Sequence, residues 1–189
     1  KVNMTTIHDP TTYSRTNKLN LKDDINSDYP IQNLITAFPL VKEIDVSDGL
    51  GGYKKTIYKY QDAKYHGRGL GFLGFACQTI IDNTNNILNQ YTYSLDWKNR
   101  LEGKITKMQG FAQSDELSGK LRLIKETDTT YEYKEIHPGF RTILTKSQTE
   151  FNYDLNGAGE AQMKNTYTND LIYGNILRSE QLIYSIDGK

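Results

Sequence analysis

The chain has one cysteine, Cys77. A single thiol excludes an intrachain disulfide framework and a cysteine-rich zinc site. Neither sign of charge is in excess: 23 Lys and Arg stand against 23 Asp and Glu. No global field therefore draws nucleic acid or an anionic lipid surface. Long hydrophobic runs are missing too, and no stretch approaches the roughly 18 apolar residues of a membrane-spanning helix. A cationic stretch followed by an apolar one is absent from Lys1-Val2-Asn3-Met4-Thr5-Thr6, so no secretory leader is visible. The chain starts without Met and stops at the turn-like Asp187-Gly188-Lys189, and it reads as a section of something longer. On that reading the missing leader carries no information about compartment.

Aliphatic residues are sparse, and only 37% of the chain is hydrophobic. The apolar content sits instead in 14 Tyr, against 6 Phe and 1 Trp. Tyrosine favours strands and tolerates half-burial, with its ring packed and its hydroxyl wet. A chain of 189 residues rich in Tyr, Thr and Asn therefore predicts a wide β-surface rather than a helical bundle. Its length suffices for one ordinary domain, or two small ones.

Three of the four prolines precede residue 40, in a polar stretch poor in pattern. Residues 1–39 are expected to be an irregular N-terminal segment or edge, and residues 40–189 an antiparallel β domain. Residues 40–46 predict a strand, and Asp48-Gly49-Leu50-Gly51-Gly52 a turn. Thr56, Tyr58 and Tyr60 then alternate on one face. The period of two returns at Tyr91, Tyr93 and Leu95, at Leu121 and Leu123, and at Tyr131 and Tyr133. It returns again at Phe151, Tyr153 and Leu155, and at Leu182, Tyr184 and Ile186. Turn signals fall between: Asn83-Thr84-Asn85-Asn86, Leu117-Ser118-Gly119, His137-Pro138-Gly139, Asn156-Gly157 and Tyr173-Gly174-Asn175. Residues 76–90 come nearest a helical pattern, but Ile80, Ile81, Ile87 and Leu88 flank the Asn-rich turn and suit a hairpin. Short connections favour antiparallel pairing. The expected fold is an all-β antiparallel meander of long hairpins.

The motifs that carry chemistry elsewhere are weak here. Gly69-Leu70-Gly71-Phe72-Leu73-Gly74 matches G-x-G-x-x-G, yet a polar run precedes it and a β-like run follows, so a dinucleotide cradle is disfavoured. His8, His66 and His137 lack metal-ligand spacing. Asp24-Ile25-Asn26-Ser27-Asp28 starts like a calcium loop, but Tyr29 stands where glycine is needed. Cys77 reads as a small buried hydrophobe. Asn3-Met4-Thr5 fits a glycosylation acceptor, as any such three-residue match does. Arg68 and Arg100, beside aromatics, suit stacking on a base or a ring, although such pairs are common on sheet surfaces without ligands. No catalytic, cofactor-binding or metal-binding residue is assigned.

One stretch is more specific. Tyr58-Lys59-Tyr60, then Asp62-Ala63-Lys64-Tyr65-His66-Gly67-Arg68-Gly69, then Gly71-Phe72-Leu73-Gly74-Phe75 resembles a signature in the middle region of Rhs/YD-repeat toxins. That family includes the B components of insecticidal Tc toxin complexes and Salmonella-virulence-protein-like chains. Its pattern is a Tyr-x-Tyr strand, a short polar stretch and Gly-Arg-Gly-Phe-Leu-Gly-Phe; here Leu70-Gly71 stand inside it. Residues 45–52 resemble the lead-in to the Tyr strand. Leu101-Glu102-Gly103-Lys104, followed by Lys120-Leu121-Arg122, resembles the hairpin after the signature. Tyr153-Asp154-Leu155-Asn156-Gly157 and Leu171-Ile172-Tyr173-Gly174-Asn175-Ile176 resemble YD-type units, with Leu171-Ile172 in place of the usual Tyr-Asp.

The resemblance implies a secreted or cell-surface bacterial protein whose hairpins wind into a hollow shell around a C-terminal effector. It implies a structural rather than enzymatic role. Gly67, Arg68, Gly69, Phe72, Leu73, Gly74 and Phe75 carry over as structural signature positions only. The implied partners are other segments of the same shell, a C-type effector and an A-type translocation component, with no nucleic acid, membrane span or cofactor. Two other readings stay open. One is a β-rich surface module binding protein or carbohydrate through exposed tyrosines and Trp97. The other is an enzyme assembled from acidic residues that meet in space.

Overall fold

The computed structural model describes residues 1–15, 30–34, 36–113, 121–138, 140–154 and 159–185. The described residues form an all-β protein of twelve strands. These are β1 (Val2–Thr6), β2 (Tyr13–Ser14), β3 (Ile31–Asn33), β4 (Pro39–Ser47), β5 (Tyr53–His66) and β6 (Gly71–Asp82). They continue as β7 (Ile87–Tyr93), β8 (Ile105–Gln113), β9 (Leu121–His137), β10 (Phe140–Tyr153), β11 (Gly159–Asp170) and β12 (Asn175–Ser185). No helix among the described residues is long and apolar enough to cross a membrane.

All twelve strands join one open sheet in the order β1-β4-β5-β6-β7-β8-β9-β10-β11-β12, with β2 and β3 also on β5. From β4 onward each strand pairs antiparallel with its successor, so the expected meander is present. The one parallel pairing described is short, Tyr13 and Ser14 of β2 against Tyr60 and Gln61 of β5.

Aspartate sets several of the turns. Asp82 accepts hydrogen bonds from the Thr84 and Asn85 amides and from the Asn85 side chain, which turns β6 into β7 and draws its carboxyl below the usual range. Asp48 does the same for Leu50 and Gly52, and Asp170 for Ile172 and Tyr173. The Asp170 bonds set the turn between β11 and β12. Leu95 departs from expectation: β7 ends at Tyr93, because the chain turns into the hydrogen-bonded 94–104 connection. The expected features at residues 24–28, 117–120, 139, 155–157 and 186 lie outside the described residues.

The N-terminal segment supplies three strands. β1 is an edge strand on β4, while β2 and β3 line up beside β4 along the same side of the long β5. It also supplies much of the core. Ile7, Tyr13 and Leu34 cluster with Leu40, Tyr60 and Ala63, with Phe38, Tyr58 and Phe75 packed against them. Tyr13 reaches furthest: its hydroxyl accepts the Ala63 amide hydrogen at 3.0 Å, fifty residues away in sequence.

Beyond β6 most side chains are only partly buried, and modest cross-strand pairs hold the sheet. Lys107 bonds Glu126 at 2.8 Å and Asp128 at 3.3 Å, Lys125 pairs with Glu150 at 2.8 Å, and the Thr130 and Ser147 hydroxyls meet at 2.7 Å. Each such pair contributes about 0.2–1 kcal/mol.

Candidate functional site

The signature residues form the β5–β6 hairpin and its packing hub. Gly67, Arg68 and Gly69 make the turn, exposed to solvent, and the Gly67 amide donates to the Pro30 carbonyl at 2.8 Å. Gly69 has φ +100°, a conformation only glycine adopts readily. The G-x-G-x-x-G motif thus crosses a strand-to-strand hairpin, where no helix N-terminus is presented to a phosphate.

Within β6 the signature builds a β-bulge. Lys64 lies opposite Gly74 and Tyr65 opposite Phe72, so Leu73 is the extra residue. Gly74 permits this at φ +110°, and Leu73 is buried at 4% exposure. The bulge brings Phe72 and Phe75 together although regular alternation would put residues three apart on opposite faces. Their ring centroids are 5.3 Å apart in an edge-to-face contact. Phe72 then meets Phe38 at 4.9 Å, and Phe75 meets Tyr60 at 4.8 Å. The signature aromatics therefore fasten the hairpin to the N-terminal segment. Burial also pushes the Tyr60 hydroxyl above its usual titration range.

On the hairpin tip, His66 is buried at 4% exposure and its ring lies 4.6 Å from Trp97. Its Nδ1 accepts the Arg68 amide hydrogen at 3.3 Å, and Nε2 is buried without a partner. Trp97 is carried by the 94–104 connection, where Asp96 bonds the Asn99 amide and side chain and the Leu101 amide reaches the Asp96 carbonyl. Trp97 is partly buried, with the Lys98 ammonium 5.9 Å from its ring. Arg100 lies 3.8 Å from Glu102. Asn3, of the sequon-like triplet, donates to Glu43 at 2.9 Å from within β1. Cys77 is buried, its Sγ accepting from Gln90 at 3.1 Å.

A second feature has no signal in the sequence. Across β8–β12 one face of the sheet is hollowed into an open concavity of about 470 Å³. Ile105, Met108, Leu144 and Ile176 give it apolar walls, and Thr127, Thr129, Tyr131 and Tyr167 supply hydroxyls. No lining residue is charged. Strand alternation places Glu126 and Asp128 on the face opposite Thr127 and Thr129. There Lys107 and Gln109 bond Glu126. Burial opposes the Glu126 charge, yet these bonds outweigh it and its carboxyl titrates below the usual range. The hollow itself is uncharged; Lys107 and Glu126 pair on the opposite face, and Lys125 and Glu150 pair on the hollow's own face, where Glu150 lies across from Thr127. Residues far apart in sequence build the hollow, so only the register of five strands discloses it. Among the described residues no group of three or more His, Cys, Asp or Glu is placed to hold a metal ion.

No family model matches the chain, and none of the curated proteins matches it. Among solved structures the chain is similar to one in the crystal structure of TcdB2-TccC3-Cdc42, with a TM-score of 0.49 and 12% identity. That likeness covers 69% of this chain and 10% of the other, so the chain spans about a tenth of its length. A Bacteroides fragilis protein of unknown function is similar with a TM-score of 0.22 and 14% identity, covering 76% of this chain and all of the other.

Proposed function

We propose that the chain is a non-enzymatic structural segment of a secreted Rhs/YD-repeat toxin-like protein, forming part of a β-shell wall around a C-terminal effector. Its partners are then other segments of that shell, a C-type effector and an A-type translocation component. The observation that carries the reading is the open antiparallel sheet with an uncharged hollow on one face, held at the signature hairpin. A wall needs an inner surface that neither repels nor fixes an enclosed chain by charge, and the hollow offers apolar, hydroxyl and carboxamide groups with no charged residue in its lining. It also needs a hydrated outer face, and the Lys107–Glu126 and Lys107–Asp128 pairs suit that role. Gly67, Arg68, Gly69, Phe72, Leu73, Gly74 and Phe75 act here as structure: turn, bulge and aromatic fastening.

A photo-crosslinking residue at Thr129, on the hollow face, tests this against one at Thr130, on the other face. With a reduced, carboxymethylated model polypeptide as probe, crosslinks are expected from position 129 and not from 130. Equal yields, or none from 129, would sink the wall assignment. The alternative, a surface module binding protein or carbohydrate through exposed aromatics, draws on Tyr53 and Tyr173, 70% and 78% exposed, better than on Trp97, which lies against His66. Glycan-array binding that disappears in Tyr173→Ala would favour it.

A further inference from the structure

We propose that the hollow across β8–β12 is a binding site for an uncharged, largely apolar small molecule that places one hydrogen-bond donor against the Thr127 hydroxyl. This goes beyond the wall reading and does not depend on it.

Three observations converge. The volume, about 470 Å³, lies within the roughly 300–1,000 Å³ of small-molecule sites. The apolar walls come from Ile105, Met108, Leu144 and Ile176, on three different strands, so the hollow is a property of the assembled sheet. Thr127 lines it while being only 4% exposed, and its Oγ1 has no hydrogen-bond partner. A buried hydroxyl without a partner costs free energy, and a ligand donor that meets it recovers that cost. Nearby, the Tyr131 hydroxyl donates to the Ile105 carbonyl at 2.7 Å, which fixes the ring as one side of the hollow. Burial raises the titration of that hydroxyl, in keeping with a site partly withdrawn from water.

The lining selects the ligand. It holds no ammonium, guanidinium or carboxylate, so an ionised ligand loses its hydration and gains no counter-charge. An aromatic or aliphatic ring system with a single N–H or O–H fits both the walls and the hydroxyl. Ile176 stands at the open side, 60% exposed on β12, where a substitution changes entry without disturbing the core.

Two fluorescent probes with the same rings separate these terms. N-phenyl-1-naphthylamine is neutral and carries one N–H, and 8-anilinonaphthalene-1-sulfonate adds a negative charge. The neutral probe is expected to bind the whole chain at least tenfold more tightly. Ile176→Glu should weaken it tenfold or more. Thr127→Val should weaken it several-fold while leaving the urea midpoint unchanged or raised, since it removes an unpartnered hydroxyl. A structural role for Thr127 would lower that midpoint instead. Equal binding of the two probes, binding unchanged in Ile176→Glu, or no neutral-probe binding below millimolar protein overturns the proposal.

Discussion

The ring of His66 lies 4.6 Å from that of Trp97, at an interplanar angle of 60°. This contact joins the tip of the β5–β6 hairpin to the 94–104 connection, thirty residues further along. It covers an imidazole whose Nε2 has no other partner. The tip is thus held by this tilted ring contact as well as by the Gly67 amide bond to the Pro30 carbonyl.

Trp97→Ala removes that cover. Loss of a large, partly buried aromatic and its ring contact should cost about 2–4 kcal/mol. Urea denaturation of wild type and variant gives the difference directly. A cost below about 0.5 kcal/mol, the range of ordinary surface substitutions, would mean that the contact contributes nothing to the fold.

Gly74→Ala tests the bulge. An added Cβ would find open space, so any cost is conformational and arises from φ +110°. The expected destabilisation is roughly 1–3 kcal/mol. Gly110→Ala is the matched control: a Cβ there meets Asn89 at 3.5 Å and Lys125 at 3.7 Å, ordinary contact distances without a positive φ. It should stay within about 0.5 kcal/mol of wild type. Equal effects at the two sites would remove the argument for glycine in the Gly-Phe-Leu-Gly-Phe stretch.

Tyr13→Phe asks whether the N-terminal segment is integral to the sheet. It leaves the buried Ala63 amide without its acceptor, at an expected cost of about 1–3 kcal/mol. Faster hydrogen exchange at the Ala63 amide should accompany it. If exchange there stays slow and stability is unchanged, residues before 15 are only loosely attached.

Stability should fall in acid. Asp9, Glu43, Asp82, Glu126 and Glu150 all titrate below their ordinary values of 3.8 for Asp and 4.5 for Glu. The Thr11 and Lys42 bonds lower Asp9, Lys55 lowers Glu43, and Lys125 lowers Glu150. A carboxyl lowered in the folded state stabilises fully above its unfolded value and loses that contribution as pH falls through the folded one. The decline therefore begins near pH 4.5 and continues below 3.8. At the alkaline end Lys107, raised above 10.5 by Glu126, adds stability that is lost only as pH rises beyond that value. Thermal melting from pH 7 to pH 2 measures the acid limb, and Lys107→Met should shrink the Glu126 part of it. A flat profile between pH 5 and pH 2 would contradict these assignments.

Strand alternation was legible because it is local. Tyr58 and Tyr60, Tyr131 and Tyr133, and Phe151 and Tyr153 lie in β5, β9 and β10, and the Asn-rich 83–86 segment turns β6 into β7 as its composition suggests. β8 carried less signal, since Gly110 and its Lys and Gln residues blur the period of two. The bulge at Leu73 was invisible, because a positive φ reverses which face a side chain takes without changing the residue order.

By itself the sequence determined an all-β chain with antiparallel hairpins, aspartate- and glycine-led turns, neutral overall charge and too few aliphatics for a deep core. Each follows from residues close together in the chain. Tertiary structure alone decided that β1, β2 and β3 join the same sheet, that Tyr13 reaches Ala63, that Trp97 lies against His66 and that β8–β12 enclose a neutral hollow. The physical reason is register. Which strands meet, and with which residues opposite, is set by contacts tens of residues apart, and alternation within one strand does not encode them.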